Sequence, residues 1–148
     1  MTLKQKIDQD SKKALQNREE LILLVLRGVN SAIHNKEIEK KGKELTQEEI
    51  LEILISEVKK RKEAIEGFKR GSRNDLVEKE QKELKILQKY LPEQIKEEEI
   101  RKEAQEIIEK IGASNLSDMG RVMSILMPKL KGRAEGGVVS AVVSKLLK

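Results

Sequence analysis

Residues 113–148 read ASNLSDMGRVMSILMPKLKGRAEGGVVSAVVSKLLK, and the fold class is decided here. Met119, Val122, Met123, Leu126 and Leu130 recur at helical spacing. The Val-rich run 138–143 is also spaced for a helix, without the strict alternation of a half-buried strand. Between them lies a basic, glycine-rich turn, Lys129-Leu130-Lys131-Gly132-Arg133-Ala134-Glu135-Gly136-Gly137. The stretch is therefore two short helices joined by a cationic turn. From Gly112 onward Arg121, Lys129, Lys131, Arg133, Lys145 and Lys148 face only Asp118 and Glu135, a net +4 out of +5 for the chain. Such a concentration speaks to partners and not to fold.

The rest of the composition agrees with an all-α protein. Of 148 residues, 39% are charged and 37% hydrophobic, with two prolines and two aromatic residues, Phe68 and Tyr90. Long Leu/Ile/Lys/Glu runs favour helix, and no alternating Val/Thr/aromatic run suggests a strand. The chain has no cysteine, so it carries no disulfide framework and no thiolate chemistry. Its longest apolar run, residues 21–26, is too short to span a bilayer, and the N-terminal residues show no signal-peptide core. The expectation is a cytoplasmic protein that does not insert in a membrane.

Read in order, the sequence predicts an N-terminal domain of about four helices over residues 1–91 and a small three-helix domain over residues 92–148. Thr2 caps the first helix, and 17–20 (NREE) looks like a capping box for the second. That second helix shows two apolar faces, with Gly28 expected to let a neighbouring helix approach closely. Thr46-Gln47-Glu48-Glu49 is a capping box for the third, whose far half carries the cationic run 59–62. Gly71 stops it, and Ser72 or Asn74 caps the fourth. Pro92 ends the fourth helix and marks the boundary. A fifth helix, opened by three glutamates, runs from Glu97 to Ile111 and closes at Gly112. Ser117 is expected to cap the sixth, and Pro128 and Gly132 to end it; the seventh runs from about Glu135 to Leu147.

No catalytic constellation emerges, and no catalytic residue, metal ligand or cofactor is assigned. His34 is the single histidine and sits on a polar helix segment. The carboxylates lie at helix-surface spacings beside lysines, the pattern of solvated ion pairs. No serine sits in a nucleophile elbow, and no phosphate-binding loop, dinucleotide fingerprint or metal spacing occurs. The best local site is the basic turn. Lys129, Lys131 and Arg133 approach the start of the seventh helix, where unpaired amides and the helix dipole favour an anion. Gly132 and Gly136 allow close backbone approach to a phosphate, and Arg121 and Lys145 add charge. The alternative is that Glu135 occupies that helix start itself and the glycines serve only a tight turn.

Several motifs together carry a family likeness: Tyr90-Leu91-Pro92-Glu93-Gln94, Asp118-Met119-Gly120-Arg121-Val122-Met123 and Met127-Pro128-Lys129-Leu130-Lys131-Gly132-Arg133-Ala134, with 45–49 and 57–65 upstream. In this order they resemble the GatB/YqeY family over nearly the whole chain. The C-terminal part is similar to the tail domain of the GatB chain of the tRNA-dependent amidotransferase, and the closest likeness is to stand-alone YqeY-like proteins. The resemblance implies an all-helical fold and a link to tRNA. It does not carry catalysis, because the phosphorylation, transamidation and ammonia-releasing parts of that enzyme have no counterpart in this chain. The family label of carbon–nitrogen ligase with glutamine as amide donor therefore comes by homology alone.

The sequence thus points to a non-catalytic tRNA-binding or amidotransferase-associated module. Its expected partners are tRNA and amidotransferase or aminoacyl-tRNA synthetase components. The rival is a protein-interaction adaptor docking through the apolar faces of the last two helices.

Overall fold

A computed structural model describes residues 1–147; Lys148 lies outside them. The described residues hold seven α-helices, one 3-10 turn and no strand. They divide into two compact units, Met1–Leu91 and the segment from Pro92 onward.

The first unit is built from α1 (Leu3–Gln16), α2 (Glu20–Glu39), α3 (Gln47–Arg70) and α4 (Asn74–Gln88). Two of these helices start as the sequence dictates. Thr2 Oγ1 accepts from the Gln5 amide at 3.1 Å while Gln5 Oε1 accepts from the Thr2 amide at 2.9 Å. Thr46 and Glu49 make the same reciprocal pair at 3.2 and 3.1 Å. Lys40 then reaches Glu49 at 2.7 Å, and that hydrogen bond holds the Glu49 carboxyl below its usual range. The other starts differ from expectation. Residues 17–20 form no capping box: Glu19 is the N-cap of α2 and makes no side-chain cap bond. Arg73, and neither Ser72 nor Asn74, stands at the N-cap of α4.

Three helix ends in this unit share one device. Glu19, Gly42 and Arg73 each donate their amide back to a carbonyl five residues earlier, at 2.9 Å. This forces Arg18, Lys41 and Ser72 into the left-handed region at φ 57°, 59° and 56°. None of the three is glycine, so each carries roughly 1–2 kcal/mol of local backbone strain.

The core of the unit gathers Ile7, Val25, Leu26, Val29, Ile33, Ile50, Leu54, Val58 and Leu87. Each fully buried leucine contributes about 1.5–3 kcal/mol by leaving water. α2 buries one face only: Leu24 stays 57% exposed, and Leu15 at the end of α1 is 58% exposed. Gly28 does not serve a close approach. It is exposed, and a Cβ placed there meets nothing within 4 Å.

Charge also enters this interior. Arg61 lies on the inward stripe of α3, between Val58 and Ile65, and Glu80 and Glu83 lie on the inward stripe of α4. Arg61 contacts Glu80 at 3.2 Å and makes a short hydrogen bond to Glu83, which is 4% exposed. At one end of the unit Tyr90 donates to Asp10 at 2.6 Å, and Lys6 sits 5.5 Å from the ring centroid. Burial, reinforced by the Asp10 carboxylate, raises the pKa of the Tyr90 phenol.

The second unit contains α5 (Glu97–Ile111), a 3-10 turn (Leu116–Asp118), α6 (Met119–Leu130) and α7 (Gly136–Leu146). Gly112 closes α5 at φ 70°. Ile100, Ala104, Ile107, Val122, Leu126, Leu130, Val139, Val142, Val143 and Leu147 form its core. α7 tolerates its valines because 139, 142 and 143 fall on the buried face. Ser117 is not the cap of α6: it donates to Asn115, which caps the 3-10 turn. Pro128 does not end α6 either. It lies inside the last turn and forgoes the bond to the Ser124 carbonyl, while Leu126 before it and Leu130 beyond it are wholly buried and hold the turn.

Candidate nucleic-acid interface

The turn between α6 and α7 is fixed by the stretch that opens the second unit. The Gln94 side chain donates to the Gly132 carbonyl at 2.7 Å. The Ile95 amide donates to the Arg133 carbonyl at 2.9 Å. Arg133 Nε returns a bond to the Glu93 carbonyl at 3.2 Å. Gly132 itself is buried at φ 76°, a conformation that favours glycine. Two of the sequence motifs, 90–94 and 127–134, are thus two sides of one clasp.

The clasp sorts the predicted cations. Arg133 is half-buried and engaged with Glu93. Lys131 is half-buried at the C-cap of α6. Arg121 is tied to Asp118 at 3.3 Å and to the Ile111 carbonyl at 3.4 Å, so it bridges the end of α5 and the start of α6. The amide of Ser114, more than Arg121, keeps the Asp118 carboxyl below its usual range. Lys129 and Lys145 are exposed and form no ion pair with another described residue. Gly136 is the exposed first residue of α7. Its N-cap, Glu135, makes no side-chain cap bond to the helix. The first turn of α7 thus takes no bond from its own N-cap side chain, and Lys129 lies in the last turn of α6 just ahead of the connecting turn.

The fold also changes the charge argument. The second unit includes α5, whose Glu97, Glu98, Glu99, Glu103, Glu106 and Glu109 belong to a helix packed beside α6 and α7. Counted over residues 92–148, ten cations meet nine carboxylates, a net +1. The +4 of residues 112–148 is a property of the sequence segment and not of the folded unit.

Other concave features are modest. A cavity of about 230 Å³ in the first unit is lined by Asp10, Lys13, Asn17, Ile86, Lys89 and Tyr90, among others. It falls below the ~300–1,000 Å³ of small-molecule sites, and a larger hollow of about 470 Å³ in the second unit is lined by Lys96, Glu97, Glu98 and Arg101, all exposed charged side chains with no apolar wall. Among the described residues no group of three or more His, Asp or Glu side chains is placed to hold a metal ion. No helix there is long and apolar enough to cross a membrane.

The profile of the family described as Yqey-like protein matches residues 4–147, so the chain belongs to the YqeY-like family. Curated relatives share 35–40% identity over parts of the chain. One is "Altered inheritance of mitochondria protein 41, mitochondrial" of Kluyveromyces lactis, 40% identical over 84 residues, 57% of this chain and 45% of the relative. The protein of the same name from Lachancea thermotolerans is 36% identical over 85 residues, 57% of this chain and 46% of the relative. The chain spans about half the length of the curated relatives it matches. These relatives are mitochondrial by name, which overturns the cytoplasmic expectation. That expectation had no physical footing in the fold, since helix patterning and absent cysteine do not distinguish the compartments.

Proposed function

We propose that this YqeY-like protein is a non-catalytic helical module that contacts tRNA, or works beside a tRNA-dependent amidotransferase, through the α6–α7 turn. The observation that supports this most is the clasp of Gln94, Ile95 and Arg133, which holds the turn rigid beside the uncapped first turn of α7. Amides at a helix start favour a phosphate oxygen, Lys129 in the last turn of α6 supplies screening-sensitive attraction near them, and Lys145 adds charge from the far end of α7, about 13 Å along that helix from Gly136. With two aromatic residues in the chain, recognition rests on backbone shape and charge more than on base stacking.

Binding of labelled tRNA across a salt series tests the reading. Affinity should fall steeply with salt, and Lys129→Glu with Lys145→Glu should weaken it tenfold or more. That pair disturbs no described ion pair, whereas adding Lys131→Glu and Arg133→Glu also opens the clasp. Unchanged binding by the double variant retires the site.

A second reading has its own support. Leu116, Ile125 and Val138 in the second unit remain 55%, 40% and 43% exposed. This fits an adaptor that docks on a partner protein through the last helices. RNA-free capture of an amidotransferase or synthetase component that survives high salt and is lost in Ile125→Asp would favour it.

A further inference from the structure

We infer that the outward face of α4 is a docking strip for the phosphate backbone of a nucleic acid, separate from the α6–α7 turn. Lys79, Lys82, Lys85 and Lys89 fall within about 120° of arc on this helix, opposite its buried Val77, Glu83 and Leu87. All four are exposed, and none forms an ion pair with another described residue. On other helices several exposed cations pair with a carboxylate one turn away, as in Lys36–Glu39, Glu57–Lys60, Glu66–Lys69 and Glu97–Arg101, and others, such as Lys59 and Lys129, stand without an ion pair to another described residue. α4 is different because its own carboxylates are turned inward. Glu80 and Glu83 are spent on Arg61, so the buried cluster strips the outer face of negative charge and leaves Glu78 as the one carboxylate among the lysines. Asp75, one turn ahead of the strip, is paired with Arg73.

The geometry selects the partner. From Lys79 to Lys89 the strip runs about 15 Å along the helix. That is the length of some four phosphates on one strand at about 3.4 Å each. Ile86 also falls within this arc but is half-buried against the core of the unit, and the residues on the other flank, Gln81 and Gln88, are polar, so the face exposes no row of large apolar side chains of the kind a membrane-surface helix inserts. No aromatic side chain lies on it to stack bases. A regular row of point charges without apolar or aromatic contacts suits a phosphate backbone read by charge and spacing.

The test is fluorescence-anisotropy binding of the full chain to a labelled RNA hairpin between about 50 and 200 mM salt. Lys79, Lys82, Lys85 and Lys89 are changed together to Gln, which keeps helix propensity and breaks no described contact. A control changes Lys36, Lys59, Lys60 and Lys69 to Gln. The α4 variant should bind at least tenfold more weakly at the low-salt end. Its log K against log [salt] slope should be shallower by about 3, as expected for three or four lost phosphate contacts. The control should keep most of both. An unchanged slope in the α4 variant overturns the proposal, and so does an equal loss in the control, which would mark a net-charge effect. Binding to phosphatidylserine vesicles or to polyglutamate that depends on these lysines, with RNA binding unaffected, overturns it in favour of a lipid or protein partner. Lys129→Glu, measured alongside, reports on the α6–α7 turn and touches no residue of α4, so either site can fail without the other.

Discussion

Gln94 and Gly132 stand 38 positions apart in sequence and meet at 2.7 Å, side-chain amide to backbone carbonyl. The contact joins the segment after Pro92 to the one turn in the second unit whose glycine is buried with positive φ. Gln94→Ala should lower the stability of this unit by about 1 kcal/mol, the net value of one such bond. Gly132→Ala should cost about 1–2 kcal/mol through backbone strain alone. Urea unfolding followed by circular dichroism reads both. If Gly132→Ala were neutral, the turn would not need its left-handed residue.

The Arg61 cluster makes a sharper prediction. Glu83→Ala leaves a mostly buried guanidinium short of its best partner, and Arg61 Nε already lacks one. Removing one member of a buried pair costs about 3–5 kcal/mol; because Arg61 is one-fifth exposed, the lower end applies. Arg61→Met with Glu83→Leu should recover most of the loss. A double variant no more stable than Glu83→Ala would count against this account.

Gly28→Ala should stabilise the first unit by about 0.5–1 kcal/mol. The glycine sits mid-helix, a Cβ there meets open space, and alanine has less freedom to lose on folding. A fall in thermal midpoint would mean that something does cover this face.

Acid sensitivity follows from Glu49. Its folded-state pKa is lowered from 4.5, first by the Lys40 hydrogen bond and then by the Thr46 amide. A lowered carboxyl pKa contributes stability that is complete above the ordinary value and lost as pH falls through the folded one. Glu49→Gln should therefore flatten the stability profile below about pH 4.5 and leave its slope near neutrality unchanged. Denaturant midpoints taken from about pH 3 up to neutrality decide it.

Much of the helical layout is legible in local chemistry. The Thr46 capping box, the glutamate-led start of α5 and its stop at Gly112 are signals contained within one turn of chain. Sequence reading fails where residue type outweighs position. Arg61 belongs by type with its cationic neighbours, yet by position it falls on the stripe of Leu54, Val58 and Ile65; Glu80 and Glu83 sit likewise on the stripe of Leu76 and Leu87. Pro128 has the character of a terminator, but burial of Leu126 and Leu130 on either side of it holds the last turn helical despite the lost bond to the Ser124 carbonyl. Ser117 reads as the cap of α6, but a 3-10 turn capped by Asn115 intervenes and leaves Asp118 at the N-cap of α6 with no side-chain cap bond. At the candidate site, the cations and glycines of the turn are readable, but their engagement is not. The bonds from 93–95 to 132–133 cross some 40 residues and leave no periodic trace.

Arg18, Lys41 and Ser72 have one more implication. Every inter-helix reversal in the first unit passes through a conformation that its own residue disfavours. An isolated pair of these helices would therefore open at its hinge, and only assembly of all four closes the three corners together. Such a unit should come apart in one step, with no surviving hairpin left behind to seed a partly ordered intermediate.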